Sequence, residues 1–549
     1  MSTRRVLIAV AAGLVLADAS VVTLALPDLL VELHTTVEGV AAVIGSYTVV
    51  LALALLPAER LARRFGPANV AMIGFVVFAV ASVACASADT LETLIGARCV
   101  QAAGGAAALI ASFSLLIGPG EDREAERRLW LGAAVLSTAL GPALGGALTQ
   151  AFSWEAIFWA QVPIAAIGAA AAWQAPVHAP HDTGEEAPPF TWRAGLSLGL
   201  VGAALTAVLF LLVLLMVAGW SISPLQAAAA VFVIPVGAVL GSRLGGTARV
   251  RATTGCLLVA GGTAALGFLP DAHVAWTLLP AGIAGVGMGL ALPALGGELL
   301  PERDARDAAR LLTIRHVGIA FALAVLAPVV SNRLDDATFR AQERGVALVL
   351  DAKLDPQRKI ELAPKLLGNV DTRDPRAGLR RAIASARGDF SGDDRVVFDK
   401  LAQRADDTLV IAVSEAFGIA FWIAGGFALL AALLLFTREV FVPALLGATA
   451  AAAGVVGGYA VAHDRLAPEP VVIADPCGDR KLPDTGGITG FLQDRVLELL
   501  DTTACRLGAS REELVLALTD DAARKRFKER HGTDPRNVGS LLSALFAGG

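Results

Sequence analysis

The chain has 549 residues, of which 55% are hydrophobic and only 17% charged, and its mean hydropathy is +0.63. These values are far from those of a soluble globular protein and predict an all-α polytopic membrane protein. The formal net charge of −5 is small and scattered, with no basic tract that would follow phosphates, so nucleic acid is excluded as a partner.

Apolar runs of roughly 18 or more residues predict thirteen membrane-spanning helices. In chain order the predicted spans are 6–26, 39–57, 69–87, 93–118, 129–151, 155–173, 196–218, 224–242, 252–269, 274–297, 311–331, 408–436 and 440–462. The basic start and apolar run at the amino terminus resemble a signal peptide. That run contains Asp18 and many spans follow it, so we expect a retained first helix.

The short loops between spans alternate in their content of basic residues, which predicts the orientation of the chain. The loops assigned to the cytoplasm carry Arg4, Arg5, Arg60, Arg63, Arg64, Arg123, Arg127, Arg128, Arg193, Arg243, Arg249, Arg251, Arg303, Arg306, Arg310 and Arg438. The short loops on the other side, such as 28–38, 89–92 and 271–273, carry no Lys or Arg. We therefore expect a multi-pass protein of the cytoplasmic (inner) membrane, with its amino terminus inside and its carboxyl terminus outside.

A glycine and proline motif lies in the fifth predicted span. Gly141, Gly145 and Gly146 would let another helix approach closely, and Pro142 in mid-helix is tolerated where neighbouring helices satisfy the freed carbonyl. With the downstream Trp154, the motif resembles the fifth-helix antiporter motif of drug:proton antiporters in the major facilitator superfamily. The resemblance is closest to the branch built with fourteen helices, whose two extra central helices are absent from this sequence.

The resemblance covers about residues 6–331 and 408–436 and implies a major facilitator fold of six plus six helices. A segment rich in proline and acidic residues separates the two halves. The predicted division is an N-terminal six-helix bundle (1–173), a cytoplasmic linker (174–192), a C-terminal six-helix bundle (193–331 and 408–436), an extracytoplasmic insertion (332–407), a thirteenth transmembrane helix (440–462) and an extracytoplasmic C-terminal domain (463–549).

The two segments outside the bundles are expected to be small helical regions. Asp355 followed by Pro356 is a typical helix start within the insertion. In the tail, Ser510 and Glu513 have the spacing of a capping box, and Gly532 follows a basic helix. A predicted apolar stripe at helical spacing consists of Ile488, Leu492, Val496 and Leu500.

Charged residues inside predicted spans are candidate functional sites, because burying them in lipid is costly. Asp18 lies in a segment that resembles the first-helix motif of the family, whose acid is implicated in proton coupling. Arg98, Gln101 and Gly104 resemble the fourth-helix motif. At 1.5 Å per residue, Asp18 lies about 18 Å from the cytoplasmic edge and Arg98 about 9 Å from the outer edge of a core about 30 Å thick. The two therefore lie at a similar depth and are expected to pair; the alternative is a structural acid paired inside the bundle.

The loop between the second and third predicted spans resembles the cytoplasmic gating motif of the family, with departures. Arg64 and Gly66 match, whereas Glu59 and Arg63 replace the usual Gly and Asp. We expect Glu59 and Arg63 to pair one helical turn apart, in partial substitution for the usual charge relay. The alternative is an ordinary positive-inside loop.

The second half contains weaker candidates. Arg315 and His316 lie in a segment that resembles the eleventh helix of the family, and Arg315 is only about 7 Å inside the membrane edge, where a long side chain snorkels. Glu415, about 12 Å from the outer edge, is a second proton-site candidate. Residues 204–217 have Thr206 as their only polar side chain, which favours a cavity for lipophilic solutes.

The positions of the cysteines and the absence of known enzyme motifs argue against metal binding and catalysis. Cys477 and Cys505 lie in the polar tail, and we expect them to form a disulfide in an oxidising compartment. The cysteines have no metal-ligand spacing, and the sequence has no nucleotide-binding or hydrolase motif. We therefore expect no metal, no cofactor and no enzymatic activity, with an ion gradient as the energy source.

Three functions follow from these observations. The leading hypothesis is a proton-coupled exporter of lipophilic or amphipathic compounds, similar to multidrug-efflux proteins, that works by alternating access. The second is a transporter of an envelope lipid or another large amphiphile. The third is a non-transporting scaffold or sensor that acts through the outside segments. The expected partners are a small lipophilic or amphipathic substrate, protons and the lipid bilayer. An extracytoplasmic protein that binds the outside segments is a further possible partner.

Overall fold

The computed structural model describes residues 3–117, 123–173, 175, 191–300, 304–367, 375–437, 443–478, 480, 482–483 and 487–537. Across these ranges the chain consists of helices joined by turns and short connections, and no strand occurs in them. The predicted linker lies outside the described residues except at Ala175, Thr191 and Trp192.

Twenty α-helices make up this part of the chain. They are α1 Thr3–Thr23, α2 Leu26–Glu32, α3 Val37–Phe65, α4 Pro67–Ala86, α5 Leu91–Leu116, α6 Arg123–Ala151, α7 Glu155–Trp173, α8 Trp192–Leu214, α9 Pro224–Val231, α10 Val233–Ser242, α11 Ala248–Ala265, α12 Ala275–Pro293, α13 Ala305–Asp351, α14 Pro356–Leu367, α15 Pro375–Ala386, α16 Gly392–Leu435, α17 Pro443–Leu466, α18 Gly487–Leu507, α19 Arg511–Thr519 and α20 Asp521–His531. Short π-helices, Leu215–Gly219 and Ala294–Leu299, extend α8 and α12.

Each predicted span except 224–242 coincides with a single helix. Among the described residues, eleven helices are long and apolar enough to cross a membrane. The predicted spans 129–151 and 252–269 correspond to α6 and α11, which are not in that set, and the predicted span 224–242 is divided into α9 and α10. The prediction of an all-α polytopic membrane protein is confirmed.

The chain divides into two compact units. The membrane unit comprises Met1–Val217, Ile222–Ser331 and Phe417–Arg465. The second unit comprises Ala218–Ser221, Asn332–Ala416 and Leu466–Gly549. The insertion and the tail, which were predicted as separate regions, both belong to the second unit.

Small residues determine the close helix contacts of the membrane unit. Gly141 of α6 lies against the side chain of Ser20 in α1, and Gly145 lies against the backbone of Val21. A Cβ atom built at Gly104 of α5 would lie 2.7 Å from the backbone nitrogen of Phe78 in α4. These contacts bring α1 against α6 and α4 against α5, because only glycine leaves room for the neighbouring backbone.

The thirteenth predicted span, α17, packs on α11 and α12 within the membrane unit. The hydroxyl of Tyr459 donates a hydrogen bond to the carbonyl oxygen of Trp276 over 2.8 Å, and His463 Nδ1 lies 3.1 Å from the carbonyl oxygen of Leu269. Gly261 lets α11 approach α17 at Ala452. Most of α17 is nevertheless exposed.

The helices α13 and α16 extend well beyond the predicted membrane boundaries. The predicted span 311–331 continues as one helix to Asp351, and the predicted span 408–436 begins already at Gly392. Loss of apolar character marks the predicted ends, but it does not interrupt a helix whose polar turns pack inside the second unit. The predicted helix start is confirmed: α14 begins at Pro356, and the backbone nitrogen of Gln357 donates to Asp355 Oδ1 over 3.0 Å.

The tail forms three helices around a small apolar core of Ala504, Leu514, Ala517 and Phe527. Ser510 accepts a hydrogen bond from the backbone nitrogen of Glu513, as predicted for a helix cap. The reciprocal half of the predicted capping box is wrong, because the Glu513 carboxylate instead accepts from Arg530 over 2.8 Å. Gly532 ends α20 in the left-handed conformation at φ 69°, as predicted.

The predicted apolar stripe of α18 is wrong as a core face. Ile488 and Leu492 are 81% and 57% exposed, while Leu497 and Ala504 are buried. A strict four-residue spacing turns about 40° around a helix at each step, so the fourth member, Leu500, lies about 120° from the first. The face that includes Leu497 and Ala504 is the one that packs.

Ion pairs with a buried arginine join the insertion to the tail inside the second unit. Arg511 Nη2 lies 2.8 Å from Asp351 Oδ1 at the end of α13, and Arg480 Nη2 lies 3.0 Å from Asp351 Oδ2. Arg511 and Glu512 are fully buried. Removing one partner of such a pair leaves an uncompensated buried charge, so these contacts fix how the two chain segments associate.

Candidate functional site

The candidate site lies in the interior of the membrane unit, where five helices bring polar side chains together. Asp18 of α1 and both Arg98 and Gln101 of α5 have no exposed surface. Arg98 Nη1 lies 2.6 Å from Asp18 Oδ2 and donates a hydrogen bond to Gln101 Oε1 over 2.6 Å. The predicted pairing of Asp18 with Arg98 is therefore present.

Two further side chains, Gln161 and Ser82, complete the site and were missed by sequence reasoning. Gln161 Nε2 of α7 donates to Asp18 Oδ1 over 2.8 Å. Gln101 Nε2 donates to Gln161 Oε1 and to Ser82 Oγ of α4, each over 2.8 Å. The sequence feature that could have identified Gln161 is its position as a lone amide in an apolar span, because polar side chains in membrane helices usually form hydrogen bonds to other helices.

Aromatic rings surround the guanidinium group of Arg98. Its central carbon lies 4.1 Å from the ring centroid of Tyr47 in α3 and 5.7 Å from that of Phe158 in α7. The Tyr47 hydroxyl donates to the carbonyl oxygen of Val15 in α1 over 3.2 Å. Among the described residues, Nε and Nη2 of Arg98 have no hydrogen-bond partner. A cation held against aromatic faces remains charged with few hydrogen bonds.

The chemistry available to this cluster is the binding and release of a proton. Arginine remains protonated in proteins and only donates, whereas a carboxylate accepts and can take up a proton. Asp18 Oδ2 makes the ion pair with Arg98 but has no hydrogen-bond partner among the described residues. No group of three or more possible metal ligands occurs in the described part of the chain.

The glycine motif of α6 supports the site from one side. The atoms nearest to Gly141 and Gly145 belong to Ala17, Ser20 and Val21 of α1, the turn next to Asp18. Gly141, Pro142, Gly145 and Gly146 are all buried.

The same motif also contacts the second half of the chain. Gly146 lies against α9, where its Cβ would meet the Ala228 side chain at 2.6 Å and the Pro224 carbonyl oxygen at 2.9 Å. One turn further along α6, Gln150 Oε1 accepts a hydrogen bond from the backbone nitrogen of Leu225 over 3.0 Å. The motif therefore packs α6 between α1 and the first helix of the predicted eighth span.

The gating-loop residues lie at the end of α3. The predicted pair is present, with Arg63 Nε 2.9 Å from Glu59 Oε1, and Glu59 is buried. Gly66 adopts φ 85° between α3 and α4, a conformation that favours glycine. The guanidinium of Arg64 lies 5.3 Å from the ring centroid of Phe65. These contacts are local to the loop and do not join the Asp18 cluster.

The remaining predicted residues lie apart from the Asp18 cluster. Arg315 packs its side chain against Gly202 of α8, and His316 Nδ1 lies 2.7 Å from the carbonyl oxygen of Leu312. Glu415 is exposed and belongs to the second unit. Of these two candidates for the proton site, only Asp18 is buried, so the geometry favours Asp18 over Glu415.

The five cysteines fall into a bonded pair in the tail and three free thiols, as predicted. Cys477 and Cys505 form a disulfide in the second unit. Cys85, Cys99 and Cys256 are free thiols within membrane helices.

A family model described as Major Facilitator Superfamily matches residues 8–325. The methylenomycin A resistance protein of Streptomyces coelicolor is 42% identical over 167 residues, which cover 30% of this chain and 35% of that protein. The tetracenomycin C resistance and export protein of Streptomyces glaucescens is 32% identical over 163 residues, which cover 29% and 30%. The chain thus spans about a third of the length of these curated relatives.

A solved structure with a similar fold is a bacterial homologue of the human lysosomal transporter Spinster in its inward-facing and occupied conformation. The match has a TM-score of 0.56 at 16% identity and covers 80% of this chain and 98% of that one. At this identity the likeness supports the fold alone. The family match over 8–325 includes every helix of the Asp18 cluster. The chain therefore belongs to the Major Facilitator Superfamily, and its named relatives are antibiotic resistance and export proteins.

Proposed function

We propose that the chain is a proton-coupled secondary exporter of lipophilic or amphipathic compounds that works by alternating access. The observation that carries this proposal is the fully buried pair of Asp18 and Arg98 in the membrane unit. Burying two charges costs several kcal/mol per ion before their attraction repays it. Intramembrane acids and bases of this kind mark proton and substrate pathways in transporters.

The proposed exchange follows from the charge of Asp18. When Asp18 is ionised, it pairs with Arg98 and the cluster is electrically neutral. When Asp18 takes up a proton, the attraction to Arg98 is lost and Arg98 is left uncompensated in a low-dielectric site. A protein that alternates between two conformations with different Asp18 to Arg98 separations would therefore bind the proton with different affinities in each.

The substrate class is inferred from the lining of α8 and from the relatives. Residues 204–217 contain Thr206 as their only polar side chain, and α8 is largely buried within the membrane unit. A path that opens along α8 during transport would meet few hydrogen-bond donors or acceptors there, which suits compounds that need none. Relatives named for resistance to methylenomycin A and tetracenomycin C support an organic compound of moderate size.

The test uses the full-length protein in proteoliposomes with an imposed pH gradient. The probes are ethidium, a lipophilic cation, and Nile red, a neutral lipophilic dye. We expect Asp18→Asn to insert normally and to retain dye binding, but to abolish proton-driven dye movement. Arg98→Ala should impair coupling more severely than Arg315→Ala, and Glu415→Gln should transport normally, because Glu415 lies outside the cluster.

Two outcomes would contradict the proposal. If Asp18→Asn vesicles show dye-induced proton movement at the wild-type rate, Asp18 is structural and Glu415 becomes the candidate acid. If the wild-type protein moves neither dye nor protons across a wide panel of compounds, the scaffold or sensor function gains support.

A second candidate function, transport of an envelope lipid or another large amphiphile, is favoured by an open apolar groove of about 360 Å³ between α12 and α17. Its lining includes Trp276, Ile283, Val455 and Tyr459. A groove of this volume and apolar character accommodates an acyl chain. Mass spectrometry of lipids that remain bound after purification tests this function: a single enriched lipid class, lost in Val455→Trp, supports it, and a bulk-membrane lipid profile contradicts it.

A further inference from the structure

Four side chains of the candidate site form a closed ring across three helices: Asp18 of α1, Arg98 and Gln101 of α5, and Gln161 of α7. Its links are Arg98 Nη1 to Asp18 Oδ2 (2.6 Å), Gln161 Nε2 to Asp18 Oδ1 (2.8 Å), Gln101 Nε2 to Gln161 Oε1 (2.8 Å) and Arg98 Nη1 to Gln101 Oε1 (2.6 Å). Each member is at most 2% exposed. Solvent therefore does not substitute for a broken link.

The ring has a fixed direction. Arg98 has only donors, and ionised Asp18 has only acceptors. Arg98 must therefore meet the oxygen of the Gln101 amide, which turns the nitrogen of that amide toward Gln161. Gln161 must in turn present its oxygen to Gln101 and its nitrogen to Asp18. Arg98 and Asp18 thus determine both amide orientations, and in all four links a donor faces an acceptor while Asp18 is ionised.

When Asp18 is protonated, no group of the ring can accept a hydrogen bond from its new hydroxyl without disturbing another link. Both groups that face the carboxylate, Arg98 Nη1 and Gln161 Nε2, are donors. Turning the Gln161 amide to accept from the new hydroxyl brings its nitrogen against the Gln101 nitrogen. Turning Gln101 as well brings its nitrogen against Arg98. Either one link breaks or the new hydroxyl is left without an acceptor, and a buried donor left without a partner is costly.

We propose that Gln161 is a positioning residue for proton exchange: its amide favours the ionised form of Asp18, and proton uptake by Asp18 weakens the ring. This inference rests on the proposed function, because it describes how the proton site of that exchange is regulated. Ser82 of α4 gives the opened ring an alternative partner, since its hydroxyl lies 3.3 Å from Gln161 Oε1 and 2.8 Å from Gln101 Nε2.

The other titratable groups near Asp18 do not account for this behaviour. Tyr47 of α3 and Cys85 of α4 both interact electrostatically with Asp18 and Arg98. Both are ordinarily neutral at physiological pH. On the remaining sides, α6 over 140–151 and α7 beyond Glu155 carry no charged side chain. Arg98 is therefore the one charge that faces Asp18 from these helices, and Gln161 is the second donor.

The experiment is an infrared pH titration of the purified full-length protein in lipid nanodiscs, which needs no substrate. The stretching band of the protonated Asp18 carboxyl is identified by its loss in Asp18→Asn. In Gln161→Met we expect this band to appear at a pH higher by about 1 unit or more, because a donor to the ionised form has been removed. Gln161→Asn, whose amide is one methylene shorter, should shift the band in the same direction.

The matched control is Gln226→Met, which removes an exposed glutamine of α9 and should titrate as wild type. Gln101→Met should give a smaller shift, because Ser82 still holds the Gln161 amide. In the double variant Gln101→Met/Gln161→Met the shift should match that of Gln161→Met alone, since the two amides act in series.

The inference is overturned if Gln161→Met and Gln161→Asn both titrate at the wild-type pH, or if Gln226→Met shifts the band equally. The two proposals fail separately. A Gln161-dependent titration without any dye-coupled proton movement would contradict the exporter function alone, whereas proton-coupled transport with a Gln161-independent titration would contradict the ring alone.

Discussion

Gly145 of α6 lies directly against the carbonyl oxygen of Val21 in α1, three residues beyond Asp18, and a Cβ at this position would overlap that oxygen. We expect Gly145→Ala to displace α1 and to cost about 1–3 kcal/mol of stability, the usual range for overpacking. Proton coupling should weaken as well, because the backbone that carries Asp18 moves.

The matched control is Gly447→Ala in α17, where a Cβ would meet no described atom within 4 Å. Thermal unfolding of both variants in detergent measures the difference. Equal unfolding temperatures for Gly145→Ala and Gly447→Ala would show that α1 does not depend on this close contact.

The disulfide between Cys477 and Cys505 closes a loop with a sequence separation of 28. On the chain-entropy account a loop of this length contributes about 3–4 kcal/mol, so Cys477→Ser should destabilise the tail by roughly that amount. Alkylation of the denatured protein should label three of the five cysteines without reductant and all five with it. Labelling of all five without reductant would contradict the pairing.

Burial of Lys359 in the second unit predicts a pH-dependent stability. Its ammonium donates to the carbonyl oxygen of Leu350 over 2.7 Å, and burial lowers the pKa of Lys359 from 10.5 to about 8. Between these two values the unfolded chain binds more protons than the folded chain, so stability should rise as the pH increases from about 8 to about 10.5. Below pH 8 both states are protonated, and this contribution stays constant.

Hydrogen exchange of the α14 amides in the full-length protein, corrected for the intrinsic pH dependence of exchange, measures this rise. Lys359→Met should remove the Lys359 component and leave a flatter profile. A rise of the same size in Lys359→Met would assign it to another group.

The predicted orientation places the carboxyl terminus outside, because thirteen spans follow an internal amino terminus. A carboxyl-terminal reporter that fluoresces only in the cytoplasm should therefore stay dark in cells. The same reporter should also stay dark when it is fused after residue 331 of a truncated chain, because eleven predicted spans precede it. A reporter fused after residue 297, following ten spans, is the bright control. Fluorescence at the carboxyl terminus would refute the predicted topology.

Several features of this protein were determined by the sequence alone. The spans were predictable because a helix in lipid needs a minimum apolar length, which is a local property of the chain. Asp18 and Arg98 were identifiable because each is a charged residue within an apolar run. Counting residues placed both at a similar depth, which made their pairing possible, since helix rise per residue is constant.

Only the tertiary structure decided which uncharged residues complete the site and where the polar helices pack. Gln161 lies 143 residues from Asp18, and an amide carries no charge that would mark it within a span. The buried face of α18 contains Leu497 and Ala504 rather than the predicted stripe, and α13 continues to Asp351 through polar sequence. Hydrogen-bond partners and packing faces depend on neighbours far apart in the chain, so local periodicity does not determine them.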